Sequence, residues 1–201
     1  MKFDYLARAV AGAMLLAPAA VTAGECDAFT DPIMKKGCEM RQSGFGLGKD
    51  DAGDLTKWIV RQDTSTFDDT NTVVLSVQAN KIADCGFSRA KPTLIVRCQE
   101  NTTSMYIATS CHVASGFEGY GKVDLRVDDR KAYTVTMDHS TDNKALGLWT
   151  GGKSIWQVKK IFGGDVLAAR FTPFGESPVE VTFPIAGLEE VIKPLRKECG
   201  W

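Results

Sequence analysis

One octapeptide of the sequence has the spacing of a phosphate-binding loop. Residues 147–154, Gly-Leu-Trp-Thr-Gly-Gly-Lys-Ser, fit the pattern G-x-x-x-x-G-K-[ST], in which backbone N–H groups cradle phosphates and the final hydroxyl holds Mg²⁺. Leu148 and Trp149 are bulky for such a loop and are better explained as the end of a strand over residues 144–149. Ser154 begins a Ser-x-x-Gln sequence typical of a helix cap. The surrounding strands are predicted to be linked as hairpins, so we predict no nucleotide site and no other cofactor.

Histidine chemistry has two candidates, His112 and His139. Ser140, His139 and Asp138 contain the residue types of a nucleophile, a base and an acid, but adjacent residues cannot point their side chains at one another in a relay. A metal site at Cys111 and His112 would need further ligands outside disulfides, and an even number of cysteines leaves none. We therefore predict neither a catalytic triad nor a metal site.

Two pairs of adjacent carboxylates, Asp68-Asp69 and Asp128-Asp129, could suggest glycoside hydrolysis, which uses two acids that flank a sugar bond. Neighbouring residues on a strand point to opposite faces of the sheet. Neither pair is accompanied by a further acid at an interpretable spacing. Both pairs are better explained as turn residues, and no catalytic residue is predicted.

The N-terminal residues have the organisation of an export signal. Lys2 and Arg8 precede an apolar run over residues 9–20, and small residues lead to a predicted cleavage point after Ala23. The run is shorter than the roughly twenty helical residues that cross a bilayer. We expect a signal peptide over residues 1–23, no membrane span after its removal, and a periplasmic or secreted bacterial protein.

All the cysteines lie downstream of this signal. An even number of cysteines in an exported chain predicts disulfides, here three. The six residues are Cys26, Cys38, Cys85, Cys98, Cys111 and Cys199.

Length and charge narrow the class of protein. The chain has 201 residues, which is enough for one domain with its own core after the signal is removed. Its net charge is −1, with charges scattered singly, whereas a nucleic-acid-binding domain favours a basic stripe. We therefore expect no nucleic-acid partner.

Residues 24–54 are predicted to form an extended arm. Glycines interrupt every hydrophobic period in this segment. A bridge between Cys26 and Cys38 would tie the arm, and closing so short a loop removes roughly 3 kcal/mol of unfolded-chain entropy.

From residue 55 onward the hydrophobic pattern has period two, which is typical of strands. The predicted strands cover residues 58–60, 72–79, 93–98, 104–109, 122–127, 132–137, 144–149, 165–171 and 179–183. Short turns between consecutive strands predict antiparallel hairpins, because parallel pairs need a long crossover. The predicted hairpins pair 93–98 with 104–109, 122–127 with 132–137, and 165–171 with 179–183.

Two segments have helical signals. Ser154 is predicted to cap a helix of about two turns that buries Val158 and Ile161 and ends at two glycines. A second apolar stripe runs from residue 186, and Pro194 should kink or restart that helix because it lacks the N–H group of the ladder. The predicted fold is mainly β (α+β): an antiparallel sheet or sandwich over residues 55–201, with two short helices, the C-terminal one packed on the sheet.

An ordered series of segments resembles a known family. The series includes PTLIVRC at 92–98, STDNKAL at 140–146, RFTPFG at 170–175, VTFPIAGL at 181–188 and LRKECGW at 195–201. Together they resemble the VasI/TagO family of type VI secretion system accessory proteins, over residues 58–201. Members of that family are small exported bacterial proteins, and relatives also occur near prophage genes.

The resemblance implies specific disulfides. It implies Cys26–Cys38 and Cys98–Cys199 as bridges shared with the family, which leaves Cys85–Cys111 as a pair particular to this chain. The family supplies no catalytic residues to carry over.

These observations predict an exported periplasmic, non-enzymatic interaction protein, associated with or derived from a type VI secretion system, whose partner is an envelope or secretion-system protein. One alternative is a cell-envelope hydrolase using Asp128, Asp138 and His139. Another is a phage-encoded envelope protein that blocks a receptor.

Overall fold

The structure, a computed structural model, describes residues 57–86 and 88–201. The predicted signal (1–23), the predicted arm (24–54) and the expected Cys26–Cys38 bridge lie outside the described residues. The described part therefore corresponds to the β domain predicted from residue 55.

Strands dominate the described part of the chain. They are β1 (Ile59–Thr64), β2 (Asn71–Gln78), β3 (Ala83–Cys85), β4 (Ser88–Ala90), β5 (Thr93–Gln99), β6 (Thr102–Ala108), β7 (Lys122–Val127), β8 (Tyr133–Thr136), β9 (Asp138–His139), β10 (Ala145–Leu148), β11 (Val166–Phe171) and β12 (Val179–Pro184).

The three predicted hairpins are confirmed. β5 pairs with β6, β7 with β8, and β11 with β12, all antiparallel. Glu100 and Asn101 form the two-residue turn between β5 and β6, and both have positive φ angles, 49° and 55°, as a type I′ hairpin turn requires. Three strands were not predicted, β3, β4 and β9, because two or three residues are too few to show a period.

The strands form two larger sheets. One has six strands in the order β1-β2-β5-β6-β10-β9, and the other has four in the order β12-β11-β7-β8, while β3 and β4 pair separately. Every strand pair is antiparallel. The expectation of a mainly β protein with antiparallel sheets is confirmed.

The core is one hydrophobic cluster that includes residues of both larger sheets and of the helices. On β5, Leu94, Val96 and Cys98 are fully buried, whereas the alternate residues are only half-buried. Phe171 of β11 and Phe183 of β12 belong to the same hydrophobic cluster. The period-two pattern thus separates a core face from an outer face in the six-stranded sheet.

The first helix, α1 (Gly151–Lys160), differs from its prediction. It begins at Gly151 with Thr150 as its N-cap, so the predicted Ser154 cap is wrong. Ser154 is fully buried, and its Oγ lies 2.8 Å from the carbonyl oxygen of Leu148 and 2.9 Å from that of Thr150. The hydroxyl therefore donates to backbone carbonyl oxygens at the start of α1 and does not cap the N–H groups of the helix. Val158 is buried as expected.

The C-terminal helix restarts as predicted. It consists of α2 (Leu188–Val191) and α3 (Lys193–Glu198), with Ile192 between them. Pro194 lies in the first turn of α3, where a missing N–H group costs no intrahelical hydrogen bond. α3 packs on β2 and β5.

Two disulfides lie in the described part of the chain. Cys98 of β5 is bonded to Cys199, which follows α3, and Cys85 at the end of β3 is bonded to Cys111. These are the partners that the family resemblance implied for the described cysteines. Among the described residues, no helix has the length and apolar character needed to cross a membrane.

Candidate functional site

The outer face of the six-stranded sheet carries an open groove across β5, β6 and β10. Its floor includes Ile95, Tyr106 and Ala145, and the loop at residues 139–144 forms one wall. The groove encloses about 650 Å³. Arg97 and Trp149 also line a neighbouring depression of about 320 Å³ that extends over the β5–β6 turn. The two spaces adjoin at these side chains and are together called the groove.

An aromatic pair lines the groove, and its tryptophan borders both parts. The rings of Tyr106 and Trp149 have centroids 5.1 Å apart with their planes tilted by 33°. The indole Nε1 of Trp149 donates to the carbonyl oxygen of Asp138, at 3.1 Å. Trp149 is thus held from both sides, by a ring on β6 and by the backbone of β9, and it presents a preorganised aromatic surface.

Gly147 makes this aromatic packing possible. A Cβ placed on Gly147 would lie 2.6 Å from Cβ of Tyr106 and 2.8 Å from Cζ2 of Trp149, far inside normal contact distance. Any side chain at this position would displace one of the rings. The first glycine of the phosphate-loop pattern therefore leaves the space that the indole ring of Trp149 occupies.

Arg97 supplies the positive charge at the centre of the groove. Its guanidinium carbon lies 5.7 Å from the centroid of the Tyr106 ring, in a cation–π arrangement. Burial raises the pKa of the Tyr106 hydroxyl above its ordinary value of 10.0, and the nearby charge of Arg97 partly opposes that rise. The phenol is therefore neutral across the physiological pH range.

The wall at residues 139–144 is fixed by its own hydrogen bonds. Ser140 Oγ donates to Oδ1 of Asp142, at 2.5 Å, and accepts from the backbone N–H groups of Lys144 and Ala145. The Ser140 hydrogen bond is the largest cause that lowers the pKa of Asp142 below its ordinary value. Asp142 therefore contributes a negative charge to the wall at neutral pH.

The remaining residues of the phosphate-loop pattern are used structurally. Leu148 ends β10, residues 151–154 form the first turn of α1, and the Ser154 hydroxyl is buried against backbone carbonyls. Trp149 belongs to the groove described above. The segment thus joins a strand to a helix without a loop that wraps around a phosphate.

The candidate residues of the hydrolase alternative have separate positions. Asp128 accepts hydrogen bonds from the backbone N–H groups of Asp165 and Val166, next to β11 of the four-stranded sheet. Asp138 and His139 form β9 at the edge of the six-stranded sheet. Nδ1 of His139 lies 2.8 Å from Oγ of Ser115. The structure therefore gives Asp128 and His139 different hydrogen-bond partners, the first beside the four-stranded sheet and the second at the edge of the six-stranded sheet.

The other sequence candidates also have local roles. The ring of His112 packs edge-on against Phe174, with centroids 5.6 Å apart, and Asp68 accepts hydrogen bonds from Thr70. Within residues 57–86 and 88–201, no group of His, Cys, Asp or Glu converges in the manner of metal ligands.

Sequence reasoning did not identify the groove residues Arg97, Ser104, Tyr106 and Trp149 as a site. One available signal was Arg97 within the otherwise apolar strand β5, where a charged residue must point away from the core. The fold and the groove define a disulfide-linked antiparallel β protein with an open groove on one sheet.

The chain belongs to the family described as type VI secretion system VasI, EvfG, VC_A0118, whose model matches residues 48–201. This confirms the resemblance found in the sequence. No curated protein sequence matches the chain. A crystal structure of invasion associated protein B from Bartonella henselae is similar with 11% identity and a TM-score of 0.42, covering 70% of this chain and 92% of that chain. At that score the likeness supports no conclusion.

Proposed function

We propose that the protein is an exported accessory component of a type VI secretion system that works by binding an envelope or secretion-system protein, without catalysing a reaction. The observation that carries this proposal is the family membership, which extends over residues 48–201 and so includes the whole described β domain. The members of this family are associated with type VI secretion, and this chain is taken to share that association.

Export to the periplasm is supported by cysteine usage. The described disulfides, Cys85–Cys111 and Cys98–Cys199, form and persist in oxidising compartments such as the periplasm. The signal expected over residues 1–23 provides the route. Maturation would then involve three disulfides, including Cys26–Cys38.

Binding rather than catalysis is supported by what the polar candidates contact. Asp128 bonds backbone N–H groups, Ser154 bonds backbone carbonyls, and Asp142 bonds the hydroxyl of Ser140. Groups committed in this way hold the fold in place. A nucleophile or base would instead face a substrate position.

Exposed aromatic side chains support a role in protein contacts. Trp156 on α1 is 61% exposed. On another part of the surface, Phe117 and Phe174 are each about half exposed and pack on each other and on Tyr120. Large aromatic side chains of this kind are enriched at protein–protein interfaces.

In-cell cross-linking tests the proposal. The tagged chain, expressed in a bacterium with an active type VI secretion system, is expected in the periplasmic fraction and cross-linked to an envelope or secretion-system component. A tagged chain without residues 2–23 serves as the control. It should be absent from the periplasmic fraction and should not be cross-linked to such a component. Recovery of the full chain in the cytosol, or turnover of purified peptidoglycan that is lost in Asp128→Asn or His139→Gln, would contradict the proposal.

A further inference from the structure

Two polar groups without partners face each other on the floor of the groove. Arg97 on β5 is the direct cross-strand neighbour of Ser104 on β6, and both line the same depression. Arg97 Nε and Ser104 Oγ are buried and have no hydrogen-bond partner, and Ser104 as a whole is only 3% exposed. Buried polar groups are nearly always paired in native proteins, and an acceptor that enters this depression would complete both groups.

The chemistry of the two groups defines the missing partner. The Nε–H of a guanidinium can only donate, and a serine hydroxyl readily donates. The complement is therefore an acceptor that takes a hydrogen bond from each. Within the described residues Arg97 forms no ion pair with a carboxylate. A carboxylate fits the planar fork of an arginine, which binds it through paired N–H groups.

The walls of the groove define what lies beside this carboxylate. Tyr106 and Trp149 offer ring surfaces next to Arg97, while Ile95 and Ala108 add apolar area. Sites that bind organic ligands combine such apolar walls with a few placed polar groups. The group attached to the carboxylate is therefore apolar or planar.

The charges around the groove favour a ligand that carries a single negative charge. Arg97 and Lys144 are opposed by Asp142 on the wall and by Glu100 in the β5–β6 turn. A phosphate monoester, with nearly two negative charges at neutral pH, would meet these two carboxylates. A peptide that ends in a carboxylate next to an apolar residue carries one negative charge there and matches the groove.

We propose that Arg97 and Ser104 form a carboxylate-binding site, and that the Tyr106–Trp149 pair packs on the neighbouring apolar group of a peptide. This inference adds a ligand class to the proposed function. It rests on that function only for the identity of the protein that carries the peptide. The site itself belongs to the isolated chain.

The experiment uses the full chain purified in oxidised form from a periplasm, with N-acetylphenylalanine as the probe and N-acetylphenylalaninamide as its uncharged match. Binding is followed by NMR through the Nε–H signals of Arg97 and Trp149. We expect the acid to shift both signals. The amide should bind at least about tenfold more weakly than the acid, because the charged hydrogen bonds are lost.

Variants locate the binding. Arg97→Gln is expected to weaken binding of the acid by about tenfold or more, and Ser104→Ala by several-fold. Arg61→Gln changes an exposed arginine on the edge strand β1 and should leave binding unchanged. Circular dichroism of each variant verifies the fold.

Several results would overturn the inference. They are equal binding of the acid and the amide, no loss in Arg97→Gln, or inorganic phosphate that binds Arg97 as strongly as the acid. An absence of any shift at the Arg97 Nε–H signal on addition of the acid would also overturn it. None of these results bears on the cellular cross-linking, so failure of the site and failure of the proposed function remain distinguishable.

Discussion

Cys98 and Cys199 are bonded with their Cα atoms 5.8 Å apart, although 101 positions separate them in the sequence. The bridge fixes the end of α3 against the central strand β5. The last residue contributes as well, because Trp201 Nε1 donates to Oγ1 of Thr103 on β6, at 2.9 Å. Residues 199–201 are therefore anchored to the six-stranded sheet by a disulfide and a hydrogen bond.

Breaking this bridge should cost more stability than breaking the Cys85–Cys111 bridge. Cys199→Ser is expected to lower the free energy of unfolding by roughly 4–5 kcal/mol, because the bridge closes a loop of about a hundred residues. Cys111→Ser opens a loop with a separation of 26 and should cost about 3–4 kcal/mol in the same entropic treatment. Urea unfolding of both variants measures the difference, and a melting temperature unchanged by Cys199→Ser would refute the expectation.

Gly147 and Gly152 should respond in opposite directions to the same substitution. Gly147→Ala places a methyl group against Tyr106 and Trp149 and is expected to destabilise by about 1–3 kcal/mol through overpacking. It should also change the near-ultraviolet circular dichroism of the indole. Gly152→Ala meets no atom within 4 Å and lies inside α1, so it should stabilise by about 0.5–1 kcal/mol. Equal effects of the two substitutions on the free energy of unfolding would show that Trp149 does not pack against Gly147.

Asp128 is expected to act on stability. Asp128→Ala removes the acceptor for the N–H groups of Asp165 and Val166 and should cost about 1–2 kcal/mol. Asp128→Asn should cost less, because asparagine keeps one acceptor oxygen and tolerates the positive φ of 45° at this position. Asp129→Ala, which changes a fully exposed carboxylate, should stay within about 0.5 kcal/mol. Denaturant titration compares the three, and equal effects at both positions would contradict this role.

The hydroxyl of Tyr106 should titrate above its ordinary value because burial disfavours the phenolate. The folded-state pKa then exceeds the unfolded one, so the associated stability is complete below about pH 10 and is lost as the pH rises through the raised value. Arg97→Gln removes the charge that partly opposes this shift and should raise the pKa further. Ultraviolet difference titration against Tyr106→Phe measures both, and a lower pKa in Arg97→Gln would contradict the contact.

The hairpins could be predicted because each one is local. Val123, Leu125 and Val127 alternate with polar residues and are all buried, and a short turn connects them to β8. Period and turn chemistry together fix such pairs within a few residues of sequence. The break near Pro194 is local in the same sense.

The groove could not be predicted because it depends on pairing across distance in the sequence. β10 joins β6, so that Gly147 lies opposite Tyr106, and no local period shows that two strands about forty residues apart are neighbours. The misplaced cap at Ser154 has a related cause. Its hydroxyl bonds the carbonyl of Leu148 at the end of β10, a contact that a capping pattern does not encode.

Complementation in cells that carry an active type VI secretion system tests the proposed role most directly. Deleting the gene should reduce contact-dependent killing of a prey strain. The full chain should restore the killing, whereas a chain without residues 2–23, confined to the cytosol, should not. Undiminished killing in the deletion strain, or full restoration by the cytosolic chain, would contradict an exported accessory function.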